Sequence, residues 1–485
     1  MPETRRTFLR RGGGALASTI ALPAGARWLM SANSALAAST IRRPDSLPDP
    51  TRPAGATTDA LPFDHLIVVM MENHSFDNLL GTLSRSGKPR ADGFTFDALG
   101  RVTNSNPDAA GNPVRAFPFP TTAQGDHVGQ SWNSTHEQIN GGRMDGFARY
   151  VDDPQPMGYW TKDVLPFIHS FAETFPVANR WFCSAPCQTY PNRRFLMAAT
   201  AYGNISTDSS SFLDPPPPNG TIFDRLHAYG ISWRNYFTDL PATGIIPSTI
   251  EKYPANIVPI ARFFADLKAG TLPAVSFVDP EFGALGEVGG PLSQVPGMAQ
   301  LGAKLSATGG DEENPQDMKY GEAWAHDVVN AILQSPAWPR TLLVYTYDEH
   351  GGYYDHVPPP KTLAPDDIPP KLAPGDVKGG YRQLGPRVPA IVASPYAKKG
   401  VTNVVHDHTS VLATIEQQWN LPALTYRDAN ADPMLDYFDF HRAAFRVPPP
   451  LPAAPDLQPG LKVCVADGFT PPLPPGVVLP TAGAA

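Results

Sequence analysis

Two short strings, far apart in the chain, carry the residue types that hold hard cations. Glu72-Asn73-His74-Ser75-Phe76-Asp77 follows the apolar run Ile67 to Met71, and Asp348-Glu349-His350-Gly351-Gly352 follows Leu342 to Tyr347. Carboxylate and amide oxygens of this kind suit a divalent cation. Each preceding run is unbroken and reads as a strand buried on both faces. Parallel strands buried this way place ligand sites at their carboxyl ends. The expectation is that Glu72, Asn73, Asp348 and Glu349 meet at one edge of one sheet. The competing reading is that each cluster merely caps its strand.

A third string is Pro186-Cys187-Gln188-Thr189-Tyr190-Pro191-Asn192-Arg193-Arg194. Pro191 stands where a helix can start, and Thr189 lies just before it. A hydroxyl there meets unpaired backbone N–H groups and the positive end of a helix dipole. That suits a nucleophile or a phosphate contact; an ordinary N-cap threonine is the alternative. Arg193 is either a contact for phosphate oxygens or a surface residue. His350 and His356 lie close to the second acidic string, and His408 precedes a helix and could turn inward. They are candidates for acid–base work or for structural hydrogen bonds.

The elements that must hold these groups alternate between strand and helix. Strands are expected near Leu66, at Ala274 to Val278 and at Pro389 to Ala393. Helices are expected at Arg193 to Ala201, Gly321 to Leu333 and Ser410 to Trp419, with helix then strand over 160–180. On Gly321 to Leu333, Ala325, Val328, Val329 and Ile332 share one face. The alternation favours an α/β fold with a mostly parallel sheet and helices on both faces. The 56 prolines require long ordered loops, and Pro215 to Pro218 form a rigid surface segment.

The N-terminus reads as a targeting segment. Thr4-Arg5-Arg6-Thr7-Phe8-Leu9 matches a twin-arginine export signal, and Ala35-Leu36-Ala37 offers a cleavage site. Residues 1–37 are read as signal, 38–60 as an extended linker, 61–446 as one domain and 447–485 as a Pro/Ala-rich tail. Cleavage takes five arginines and one glutamate from 38 basic and 46 acidic residues, leaving a formal charge of −12. That balance argues against nucleic acid as a partner. No later stretch is apolar and long enough to span a bilayer, so a soluble exported monomer is expected, periplasmic or extracellular. Cys183, Cys187 and Cys464 allow one disulfide, with the pairing open.

Taken together, the strings resemble the bacterial phospholipase C and acid phosphatase family of phosphoesterases, to which plant non-specific phospholipases C are similar. The resemblance also covers Asn140 to Phe147, Met157 to Trp160, Leu165 to Phe167, Tyr354-Asp355-His356, and Arg387 to Pro389 leading to Ser394-Pro395. It implies an alkaline-phosphatase-like α/β/α fold and one divalent metal ion of unspecified identity. Glu72, Asn73, Asp348 and Glu349 match the family's metal ligands. Thr189 matches its hydroxyl nucleophile, which also contacts the metal. The implied substrate is a phospholipid or a small phosphate ester, and the implied export partner is the twin-arginine machinery.

The chain departs from the family at two places. Relatives often carry His-Pro-x-His-Asp ahead of the helix before the second acidic strand; here Asn314-Pro315-Gln316-Asp317 stands there. A histidine that relatives often carry before a Ser-Trp or Ser-Phe pair is Gln130 here, ahead of Ser131-Trp132, and His127 and His136, close by, are the substitutes to consider for it. A phosphomonoesterase of the acid phosphatase kind and a non-catalytic phospho-ligand binder are the alternatives. A sulfatase is disfavoured because threonine occupies the position of its modified cysteine or serine.

Overall fold

A computed structural model describes residues 41–125, 128–149, 154–282 and 310–452. The segment read as an export signal, His127, Cys464 and residues 453–485 lie outside the described residues. Residues from Arg42 onward form one compact unit, and the account below concerns it alone.

Its centre is an eight-stranded sheet. The strands are β1 (His65–Met71), β2 (Val177–Ala178), β3 (Trp233–Phe237), β4 (Ile257–Pro259), β5 (Val275–Asp279), β6 (Thr341–Tyr347), β7 (Ala390–Ala393) and β8 (Val401–Thr402). Their spatial order is β8-β2-β7-β6-β1-β5-β3-β4. Only β7 runs against its neighbours, pairing antiparallel with β6 and β2. The expected α/β class with a mostly parallel sheet is therefore what the chain forms.

The apolar runs explain the centre of the sheet. All seven residues of β6 and six of seven in β1 are buried, so both faces need cover. The eight helices followed here are α1 (Phe76–Leu80), α2 (Trp132–Ile139), α3 (Pro166–Thr174), α4 (Thr189–Ala198), α5 (Ile222–Ala228), α6 (Ile260–Ala269), α7 (Met318–Leu333) and α8 (Thr409–Trp419). Val68 and Met70 line a gap with Arg193, Leu196 and Met197 of α4. Tyr345, paired with Val69, meets Phe171 of α3 edge-on at 5.7 Å. Successive strand residues point to opposite faces, so α3 and α4 cover opposite sides. α7 packs on α3 and α6, while α4 packs on α5 and α8. The result is three layers.

Local signals set the helix positions. Pro166 opens α3, and Phe167, Phe171 and Phe175 stack along one side at 5.8 and 5.6 Å. The expected apolar face of α7 is buried in full. Trp233–Phe237 was not expected as a strand, and α4 begins four residues earlier than the helix read at Arg193. The described part of the 38–60 stretch does not hang free. Asn420, left-handed at the end of α8, donates its amide to the carbonyls of Asp49, Arg52 and Pro53 at 3.0, 2.9 and 3.0 Å. Cys183 and Cys187 are buried and free, so they are not joined to each other. No helix among the described residues is long and apolar enough to cross a membrane.

Candidate active site

The register of β1 and β6 brings the two acidic strings together. The strands are parallel, with Met71 opposite Tyr347, so Glu72 and Asp348 emerge side by side at one edge. The chain turns sharply there. Asn73 sits at φ +69°, a left-handed conformation that asparagine tolerates better than most residues. Its backbone N–H donates to Asp348 Oδ1 at 3.2 Å. Gly351 lies so close that a Cβ would stand 1.9 Å from the Asn73 carbonyl oxygen; only glycine fits.

The third string reaches the same edge. Thr189 is the first residue of α4, with Gln188 in the cap position and no side chain capping the helix. The N-cap alternative for Thr189 therefore falls. Its hydroxyl donates to Asn73 Oδ1 at 3.4 Å, and its exposure is 4%. Asn192 holds the approach in place. Its amide donates to the carbonyls of Cys187 and Gln188 at 2.7 and 3.1 Å and accepts from Ala185 N–H at 3.0 Å.

Arg193 is not a surface residue. It is 3% exposed, and its guanidinium pairs with Glu72 Oε1 at 3.0 Å and Asp348 Oδ2 at 3.1 Å. The nitrogen that faces Glu72, Nη2, also donates to the Met70 and Met71 carbonyls, both at 3.3 Å. One cation thus ties the ends of β1 and β6.

Two acids that sequence reasoning missed complete the cluster. Oxygens of Glu72, Asp311 and Glu313 lie within 4.8 Å of one another. The Asp311 carbonyl accepts from Glu72 N–H at 2.9 Å, and Glu313 accepts from the Asn73 amide at 2.9 Å. The available signal was the run Asp311-Glu312-Glu313, directly before the place where the expected histidines are lost. Asn314 there donates to the Gly125 carbonyl at 3.0 Å and to the Tyr353 hydroxyl at 2.9 Å.

Negative charge exceeds positive charge at this edge. Burial pushes Glu72 well above the usual carboxylate range; Arg193 opposes the rise, and Asp348 and Asp311 add to it. Burial likewise raises Glu349, helped by Asp348, and raises Asp311, helped by Glu313. Glu349 Oε1 and Asp311 Oδ2 are buried without a hydrogen-bond partner. Unpaired buried oxygens among crowded carboxylates are what a hard divalent cation would satisfy. The donor set therefore fits a metal ion, with Glu72, Asn73 and the acids around them as its holders.

The histidines divide. His350 is fully buried, and burial lowers it to about 3, so its ring is neutral. Gln138 donates to the Gly129 carbonyl, which turns its Oε1 toward His350 Nε2 at 2.7 Å. That nitrogen therefore carries the proton. Nδ1 lies 3.1 Å from Glu349 Oε2, which places His350 behind Glu349. His408 Nε2 donates to the Asp348 carbonyl at 2.7 Å. His136 stacks on Trp132, with ring centroids at 4.3 Å.

His356 belongs to a second cluster. Its Nδ1 is 2.6 Å from Asp77 Oδ2 and its Nε2 is 3.4 Å from Asp92 Oδ1. Burial alone would lower its pKa, but Asp77 and Asp92 raise it to about 10, so it is an imidazolium. Arg387, fully buried, pairs with Asp77 at 3.1 Å and Asp355 at 2.9 Å.

Comparison with known proteins follows the same residues. Residues 63–422 match the model of the Phosphoesterase family. Non-specific phospholipase C1 of Arabidopsis thaliana is 32% identical over 78% of this chain and 71% of its own. Phospholipase C B of Mycobacterium tuberculosis is 28% identical over 81% of this chain and 80% of its own. Among solved structures, a protein in the alkaline phosphatase superfamily from Vibrio parahaemolyticus overlaps with a TM-score of 0.33 at 12% identity, over 68% of this chain and 72% of that one. With three quarters of its length inside the family match, the chain belongs to the Phosphoesterase family and is a phosphoric ester hydrolase.

Proposed function

We propose that this chain is an exported, metal-dependent, phospholipase C-like phosphoesterase with Thr189 as nucleophile. The observation that carries the proposal is the Thr189 hydroxyl, 3.4 Å from Asn73 Oδ1 where β1 and β6 end in carboxylates. A divalent cation at Glu72, Asn73, Asp348 and Glu349, with Asp311 and Glu313 close by, supplies the positive charge that offsets phosphoryl oxygens and acidifies a hydroxyl.

The chain's own groups do the rest. Thr189 Oγ1 passes its proton to solvent water and forms a bond to phosphorus, while the P–O bond to the alcohol breaks on the opposite side and the departing oxygen takes a proton from water. Water then cleaves the phosphothreonine. The start of α4 supports negative charge next to Oγ1 through the positive end of its helix dipole. Arg193 bridges Glu72 and Asp348 and opposes the effect of burial on both. Asn192 keeps the loop before Thr189 rigid, so the hydroxyl is positioned before substrate arrives. The substrate is a phospholipid or a related phosphodiester, in line with the relatives' names. Export rests on Arg5 and Arg6, and the catalytic domain spans 61–446.

The test is Thr189→Ala. Hydrolysis of a nitrophenyl phosphocholine ester should fall roughly 10³-fold or more with the melting temperature unchanged. Undiminished turnover by the folded variant would remove Thr189 from the chemistry.

A further inference from the structure

A cavity of about 460 Å³ opens at the far edge of the sheet, where β2 and β8 begin. β2 is parallel to β6, because both pair antiparallel with β7. The cavity therefore lies at the amino ends of the strands, while Glu72 and Asp348 lie at the carboxyl ends. β8 is also four strands from β1, about 19 Å at about 4.8 Å per strand.

The lining is unusual for an acidic protein. Lys88, Arg90 and Lys399 all face this space. Lys88 is only 5% exposed, and its ammonium is held by the carbonyls of Phe175 and Gly400 at 2.8 and 3.2 Å. Among the described residues, no carboxylate lies within ion-pair reach of Arg90 or Lys399. Glu173 is the acid in the wall, and Lys162 neutralises it at 2.5 Å. The other oxygen, Oε1, is buried and has no hydrogen-bond partner. Phe445 and Val401 supply an apolar side. Burial lowers Lys88 to about 8, with Glu173 opposing and Lys399 adding; an anion in the cavity would favour its charged form.

We propose that this cavity binds a small soluble phosphate monoester that carries a hydroxyl, separately from the catalytic edge. Three cations match a phosphate group. Glu173 Oε1 accepts from the hydroxyl, and the short carbon stem lies on Phe445. A soluble ligand is favoured over a lipid headgroup because a membrane docked here would leave the catalytic edge on the other side. The proposal does not depend on Thr189 being the nucleophile.

Calorimetric titration of the full chain with glycerol 3-phosphate and with inorganic phosphate, in chelator, tests it. Without a metal ion the acidic edge repels anions, so the isotherm reports the distal cavity. We expect one site per chain, filled more tightly by glycerol 3-phosphate than by phosphate. The Arg90→Glu/Lys399→Glu variant should weaken binding about tenfold or more and leave ester hydrolysis and melting temperature unchanged. If that variant misfolds, Lys399→Gln alone should still weaken binding several-fold. Absent binding, or binding indifferent to Lys399→Gln, overturns the proposal. Capture on phosphatidic acid vesicles that depends on Arg90 and Lys399 would overturn the soluble ligand in favour of a lipid headgroup.

Discussion

Two buried charge clusters sit at the carboxyl edge of this sheet, and they differ in arithmetic. Around Arg387, three carboxylates (Asp77, Asp355 and Asp92) face three cations (Arg387, His356 and Arg180). Around Arg193, five carboxylates (Glu72, Asp311, Glu313, Asp348 and Glu349) crowd near one cation. In the first cluster every charge has an answer within the protein. In the second, Glu349 Oε1 and Asp311 Oδ2 have none. A balanced buried network holds segments in place, because removing one member strands the others without solvent. An unbalanced one stays under repulsion until a cation arrives. Chemically similar acids in the two clusters thus serve opposite purposes, and the difference lies in what neutralises them.

The sharpest way to break this contrast is to delete the cation of the balanced cluster. Arg387→Ala leaves Asp77 and Asp355 facing each other and should destabilise the fold by about 3–5 kcal/mol, read from urea unfolding. A loss under about 1 kcal/mol would mean that water already reaches these groups and the network is not a brace.

Removing a charge from the unbalanced cluster should go the other way. Asp311→Asn removes one of the mutually repelling carboxylates. Metal-free stability should stay level or rise by up to about 1 kcal/mol, while metal affinity drops about tenfold or more, measured by metal titration under a competing chelator. Clear destabilisation of the metal-free protein would show that Asp311 already has its partner.

The smallest effect concerns pH. His356 is raised to about 10, from an ordinary value near 6.5, by Asp77 and Asp92 against the opposing effect of burial. A raised folded-state value means its contribution is fully present below about 6.5 and is lost as pH climbs through about 10. His356→Gln should flatten that loss, on the order of 1–2 kcal/mol after solvent screening. An identical pH profile in the variant would show that the ring is not held as a cation.

Much of the site was legible without coordinates because it is written in short strings. An unbroken apolar run ending in acids states both the strand and its ligand end, so Glu72, Asn73, Asp348 and Glu349 could be named together. Thr189 was legible because proline and a hydroxyl mark a helix start. The long helices α7 and α8 showed their boundaries through apolar spacing. By contrast, β8 is two residues long; nothing in so short a segment separates strand from loop, and only pairing with β2 makes it part of the sheet.

What tertiary structure alone decided is which charges meet. Parallel register put Glu72 next to Asp348. Arg193, whose place in the string fits a phosphate contact, turned inward because α4 packs over Val68 and Met70 and leaves its guanidinium beside two carboxylates. Asp311 and Glu313 entered from a loop with no periodicity to announce it. His350 and His356 looked alike in sequence, six residues apart. Burial against Gln138 keeps one neutral, and Asp77 with Asp92 keeps the other charged. Local sequence specifies residue type and backbone tendency, while the sign and fate of a buried charge depend on neighbours that arrive from hundreds of residues away.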